Sequence, residues 1–229
     1  MSEMSEISEP LVIDVVSDVV CPWCFIGKRR LEKAIALRPD IPVEVRFRPY
    51  FLNDWVPREG ISRTEYLTTK FGSPERYNRN VPLMIEAAAS EGLTYAPDKI
   101  QRQPNTLDCH RLILWADQQQ GAGPRMKQRL MSLYFAEGAD LTDREVLVKA
   151  AAECGLDADK TRELLASDTD VDTVTRAAEQ AKAAGIDGVP MFIFNGVLAV
   201  SGAQSPEYLV SAMERSVEER AKRATQAAE

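Results

Sequence analysis

The chain has 229 residues, 45% hydrophobic and 28% charged, enough apolar material to build a core without disulfide staples. Its formal net charge of −7 offers no basic excess to neutralise phosphate, which argues against nucleic acid or an anionic membrane as the main partner. Met1 to Pro10 lacks the basic and apolar regions of a secretory signal, and no apolar run approaches the roughly 18 residues of a membrane span, so a cytoplasmic location is expected.

Leu11 to Val16 is a short Val/Ile-rich run that suits a strand buried on both faces. Next comes Cys21-Pro22-Trp23-Cys24, and a helical pattern from Trp23 to Leu37 carries Gly27, Leu31, Ala34 and Ile35 on one face and ends at Pro39. Val43 to Arg48 alternates strictly and predicts a second strand. Strand, helix and strand in this span make a βαβ unit with parallel strands.

From Asn53 to Gly185 only helix signals recur. Ser62-Arg63-Thr64-Glu65 is a capping box for a helix ending near Gly72. Ser73-Pro74 opens another, interrupted at Pro82 and resumed to about Glu91. Asn105 caps Thr106 to Gln119, and Pro124 begins a helix that ends at Gly138. Thr142-Asp143-Arg144-Glu145 is a second capping box, for a helix closing at Gly155. Asp157 caps a short helix, and an alanine-rich one runs from Asp168 to Ala184.

Strands return at Met191 to Phe194 and Val197 to Val200, joined by the type I′ turn signal Asn195-Gly196. Ser205-Pro206 opens a last helix to about Ala221. Neither end of the chain makes a stable sheet alone, so the two must meet. The expected fold is α/β: a four-stranded mixed sheet from residues 11–52 and 186–221, a helical domain inserted at 53–185, and flexible termini at 1–10 and 222–229.

Cys21 and Cys24 stand two residues apart at a strand-to-helix junction, which is a redox layout. Unpaired N–H groups and the helix dipole favour a negative sulfur at Cys21, the expected attacking thiol; Cys24, one turn on, is the expected resolving thiol. Pro22 fits the first turn, and the Pro22-Trp23 pair would tune the potential. Half a zinc site is the competing reading, but Cys109 with His110, and Cys154, do not supply a second closely spaced pair. No metal is therefore expected.

A second feature is Gly188-Val189-Pro190-Met191, where a proline opens a strand and marks a bend or a cis bond. Cys-Pro-Trp-Cys on a βαβ unit, a helical insertion, and Gly-Val-Pro before a ββα unit resemble the thioredoxin superfamily, and within it the DsbA-like oxidoreductases of the FrnE-like type. The resemblance covers roughly residues 11 to 220. It implies that Pro190 is cis beside the active-site cysteines and that the backbone of Val189 binds an extended substrate. Asn105-Thr106, His110-Arg111 and Ser201-Gly202-Ala203-Gln204 also look like family segments, with no catalytic role assigned. Trp23 stands where periplasmic DsbA relatives usually carry His, whereas related kappa-class glutathione transferases and 2-hydroxychromene-2-carboxylate isomerases carry Ser at the position of Cys21.

The expected activity is thiol–disulfide exchange through Cys21 and Cys24, with a thiol- or disulfide-containing protein or peptide as substrate. Cys21, Cys24 and Pro190 form its catalytic set, and Pro22, Trp23 and Val189 its substrate-binding set. No cofactor is required, and glutathione is a candidate redox partner. The alternatives are a glutathione-dependent isomerase or transferase, and a non-catalytic peptide-binding or holdase module. Cys109 and Cys154 read as small buried hydrophobes, with a second redox pair as the sharper alternative. His110 reads as structural. Of two aspartates beside the first strand, mid-strand Asp14 is the more suggestive buried base for Cys24, ahead of Asp18. Tyr50-Phe51-Leu52 and Trp55 read as core rather than as a peptide groove.

Overall fold

A computed structural model describes residues 9–119 and 121–227. Parts of both segments expected to be flexible, residues 1–8 and 228–229, lie outside the described residues. β1 (Leu11–Ser17) leads into α1 (Pro22–Leu37), and β2 (Val43–Pro49) returns parallel to β1 with Leu11 opposite Val43 and Ser17 opposite Pro49. Burial along β1 alternates at first, with Leu11, Ile13 and Val15 buried and Val12 and Asp14 half-buried. The first half of the strand is therefore buried on one face only, not on both as its apolar run suggests.

The segment between the two halves of the sheet carries a small two-stranded ladder that the helix signals conceal. β3 (Ile61–Ser62) pairs antiparallel with β4 (Arg102–Gln103). Each is two residues long, and Ser62 is also the N-cap of α2 (Arg63–Phe71), its side chain accepting from Glu65 N–H. α3 (Pro74–Asn78) and α4 (Val81–Ser90) break before Pro82, which falls in the first turn of α4, where a missing N–H is tolerated. α5 (Leu107–Gln118) follows.

α6 (Gly123–Ser132) runs on into a π-helical turn at Leu133–Glu137, which Gly138 ends at φ 70°. α7 (Arg144–Glu153) is capped by Asp143 rather than Thr142; Asp143 accepts from Glu145 N–H, while Thr142 bonds to Asp140. α8 (Ala158–Ala166) is capped by Asp157 as its sequence predicts, and α9 (Val171–Ala183) starts behind Asp170.

β5 (Met191–Phe194) pairs antiparallel with β1, and β6 (Leu198–Ser201) pairs back on β5 across Asn195 and Gly196, both at positive φ as a type I′ turn requires. The sheet order is β2-β1-β5-β6, the four-stranded mixed sheet expected. α10 (Pro206–Ala227) continues past Ala221 through residues that the sequence reading leaves as a frayed tail.

Two apolar clusters flank the central strands. One joins Leu11, Ile13 and Val15 to Leu31 and Ala34 of α1 and to Leu209 and Met213 of α10. The other runs from Val19, Cys24 and Phe25 into the helices between β2 and β5. The Cys-Pro-Trp-Cys turn thus sits where sheet and helices meet. Among the described residues, no helix is long and apolar enough to cross a membrane.

Candidate active site

Cys21 is the N-cap of α1, with extended backbone (φ −94°, ψ 115°), and Pro22 takes the first helical position. The Cys21 carbonyl accepts from Cys24 N–H (3.0 Å) and Phe25 N–H (3.1 Å), so the turn closes around the two sulfurs. Both cysteines are free thiols. They are pushed apart in acidity. Hydrogen bonding from the Cys24 thiol, helped by N–H groups of the first turn, holds the Cys21 thiol below its ordinary value against burial and the charge of Asp18. Burial, reinforced by Cys21, pushes Cys24 well up. Cys21 is the thiol easier to ionise, as its place at a helix start predicts.

The loop before β5 faces this pair. The Val189–Pro190 bond is cis, and the Cys21 thiol donates to the Val189 carbonyl at 3.6 Å. A close approach fixes the loop against α1: a Cβ on Gly27 would lie 3.0 Å from Pro190 Cγ and 3.2 Å from Phe192 Cζ. Only glycine fits there without displacing the proline.

Cys21 is 5% exposed and opens into a cavity of about 360 Å³ lined also by Trp23 and Val189. Its far wall comes from α2, α4 and the π turn, and it carries two cations, Arg63 and Lys70. Arg63 lies over the rings of Tyr66 (5.1 Å) and Tyr77 (5.0 Å) and donates to Gln103 Oε1 (3.1 Å) and Tyr134 Oη (3.4 Å). Lys70 donates to Asn53 Oδ1 at 2.5 Å. Among the described residues, no carboxylate lies within ion-pair distance of either cation. Leu52 lines the same cavity, Tyr50 is buried, and Trp55 stacks on Tyr66 while remaining 44% exposed.

The structure reverses the ranking of the two aspartates. Asp14 lies towards the solvent side of the sheet and is held by Arg48 Nε at 2.6 Å. Asp18, beyond the end of β1, is fully buried beneath the turn. Its Oδ1 accepts from Val19 N–H (2.7 Å) and lies 3.3 Å from His110 Nε2, and its Oδ2 accepts from Leu52 N–H (2.8 Å). Burial alone would raise this carboxyl, but His110, Leu52 N–H and Thr106 hold it below the ordinary carboxylate range. His110 is pushed down by burial in spite of Asp18, so the pair is an ionised carboxylate and a neutral imidazole. Asp18 ties the active-site turn to the segment after β2 and to the start of α5.

Lys127 of α6 is a buried charge near the active-site turn that the sequence alone does not single out. It is 1% exposed, donates to Ser17 O at 3.3 Å and lies over the Phe47 ring at 5.0 Å. Burial lowers it to about 8. The available signal was a lysine inside the apolar stripe Met126, Leu130, Met131 and Tyr134. Cys109 and Cys154 pack in the helical core, and burial raises both thiols. Arg111 is fully buried and clamps α5 to the α8–α9 connection through the Leu164, Ser167 and Thr169 carbonyls. Among the described residues, no cluster of three or more His, Cys, Asp or Glu side chains could hold a metal.

The family model for the DSBA-like thioredoxin domain matches residues 12–214. The chain belongs to this DsbA-like family. It is 31% identical to a probable DsbA oxidoreductase from Streptomyces coelicolor, with 91% of each chain covered and a TM-score of 0.84. The uncharacterized protein YwbO of Bacillus subtilis is 26% identical over 202 residues, 88% of this chain and 94% of that one. The fold is shared with a 2-hydroxychromene-2-carboxylate isomerase at 15% identity (92% and 98% covered, TM-score 0.67). It is shared also with the cytosolic disulfide reductase DsbM of Pseudomonas aeruginosa, solved with GSH, at 18% identity (96% and 100% covered, TM-score 0.59). This DsbA-like chain thus shares its thioredoxin-like fold with proteins named as oxidoreductases and with one named as an isomerase.

Proposed function

We propose that this DsbA-like protein is a thiol–disulfide oxidoreductase in which Cys21 attacks and Cys24 resolves. The observation that carries the reading is geometric: Cys21 caps the start of α1, donates to the Val189 carbonyl beside the cis Pro190, and has Cys24 one turn on; the low Cys21 and high Cys24 thiols agree with it. A thiolate is the nucleophile of disulfide exchange, and its paired neighbour must stay protonated until the mixed disulfide forms. Trp23 and Val189 line the cavity beside the attacking sulfur, where a substrate would lie.

The redox partner in this proposal is a carboxylate-bearing thiol, with glutathione the first to test. Arg63 and Lys70 are half-buried cations that, among the described residues, have no carboxylate within ion-pair distance, and they face the cavity that Cys21 opens into, where an anion would be attracted. The proposed setting is the cytoplasm, as the name of the Pseudomonas reductase gives for that relative.

The test is the rate of insulin reduction, and of glutathione-disulfide reduction, by wild type, Cys21→Ser and Cys24→Ser. Wild type should turn over, Cys21→Ser should be inactive, and Cys24→Ser should stall as a mixed disulfide at Cys21. A wild type no faster than Cys21→Ser defeats the proposal. Full turnover by Cys24→Ser would point to a glutathione-dependent isomerase or transferase instead.

A further inference from the structure

A buried ammonium needs a reason. Lys127 reaches the active-site turn from α6, a helix that contributes nothing to the four-stranded sheet. Its side chain is removed from solvent, it donates to the Ser17 carbonyl, and the Phe47 ring covers it. Among the described residues, no carboxylate comes within ion-pair distance of it. Such a charge is costly unless something at the site uses it.

Asp18 does not fill the role of proton acceptor for Cys24. Both of its oxygens are occupied, by Val19 N–H and His110 on one side and Leu52 N–H on the other, and those bonds stabilise the ionised form. A carboxylate saturated in this way is a weak base. The groups that act on the Lys127 charge are Cys24, Cys21 and Lys28 from α1 and Asp18 from the turn. His110 and Cys109 on α5 feel it as well. Cys21 has the helix start to stabilise its thiolate, so Cys24 is the one whose charge must appear during exchange without that help.

We propose that Lys127 is a positioning residue for Cys24: its buried ammonium is the counter-charge for the Cys24 thiolate as that thiolate attacks the mixed disulfide. The inference rests on the thiol–disulfide reading above. In this step Cys24 loses its proton to solvent and its sulfur attacks Cys21 Sγ. The bond from Cys21 to the substrate sulfur breaks, and the substrate leaves as a thiolate. Cys21 and Cys24 end as a disulfide, and the two electrons they lose reduce the substrate, so no further oxidant is needed. Lys127 touches none of the bonds that change; it lowers the cost of one negative charge.

The experiment uses the reduced full chain and 5,5′-dithiobis(2-nitrobenzoate) in stopped flow. The first thionitrobenzoate released reports attack by Cys21, and the second reports resolution by Cys24. Wild type should give both phases. Lys127→Met and Lys127→Gln should slow the second phase roughly tenfold, the effect of one pKa unit on thiolate population, and move its pH midpoint upward. The first phase should stay within about threefold of wild type, because Cys21 has its own helix-start stabilisation. Lys127→Arg, which keeps the charge, should stay close to wild type. Lys127→Gln retains a donor for Ser17 and serves as the readout if Lys127→Met does not fold. A second phase unchanged in Lys127→Gln, or equal slowing of both phases, or Lys127→Arg as slow as Lys127→Gln, overturns the role of Lys127. A wild type with no second phase overturns the exchange reading and this inference with it.

Discussion

Asp18→Asn should destabilise the protein although it changes a single atom. The carboxylate accepts from Val19 N–H and Leu52 N–H on opposite oxygens, with His110 sharing the first. An amide keeps one acceptor, so its NH2 group must face a buried N–H on the other side. One unsatisfied donor costs about 1–3 kcal/mol, and the remaining bonds lose their charge assistance, together about 3 kcal/mol. For a chain of this size that is a fall of about 6–12 °C in Tm. The pH dependence gives an independent check. Because the folded carboxyl sits below its ordinary value of 3.8, its contribution is complete above that value and is lost as pH falls through the folded one. The wild-type advantage over Asp18→Asn, measured by urea unfolding, should therefore shrink as pH falls below 4. A Tm within 2 °C of wild type at pH 7, or an advantage that does not shrink in acid, would refute the view of Asp18 as an ionised hub.

Other outcomes follow from the same geometry. Iodoacetamide alkylation of the reduced wild-type protein, followed against pH and mapped by mass spectrometry, should reach half-maximal rate at Cys21 below the ordinary thiol value of 9.0, while Cys24 in Cys21→Ala should titrate above it, as burial demands. Losing the Cys24 thiol will move the Cys21 midpoint up somewhat, so an upward step from wild type to Cys24→Ala is expected as well. Gly27→Ala gains at most about 1 kcal/mol of helix propensity but crowds Pro190 and Phe192, for which overpacking costs about 1–3 kcal/mol. Its Tm should fall by a few degrees and its exchange rate should drop. Arg63→Gln should raise KM for glutathione disulfide about tenfold or more, the worth of a charge-assisted hydrogen bond, and leave KM for a neutral disulfide such as hydroxyethyl disulfide nearly unchanged.

The readable parts of this chain were those where local chemistry decides. The Asn195-Gly196 turn, the Ser62 and Asp157 caps and the strict alternation of β2 each carry their own physical cause, and each element stands where that cause puts it. Asp14 misled because mid-strand position looks like burial; only the pairing of β1 with β2 shows that its face meets Arg48, whereas Asp18 turns inward once the strand ends. Thr142 and Asp143 are adjacent capping residues, and the Thr142 hydroxyl is drawn off by Asp140, a choice that composition does not encode. β3 and β4 are too short for any alternation to register. Nothing in sequence sets Arg63 and Lys70 apart from other helix cations, and only its apolar stripe sets Lys127 apart; α2 brings the first two to the cavity wall and α6 buries the third against Phe47, packing that depends on segments far apart in the chain.

That separation has a consequence for the birth of the protein. Cys21 meets the Val189 carbonyl across 168 residues of sequence. At translation rates of about 5–20 residues per second, roughly 10–30 s pass between synthesis of the two. Through that interval the nascent chain carries its Cys-Pro-Trp-Cys turn without the proline loop that faces it. Its thiols are then open to any oxidant or disulfide in the surroundings, large or small. Only when β5 pairs with β1 does the Val189 carbonyl reach Cys21, so the reactive sulfur gains its privacy late in synthesis.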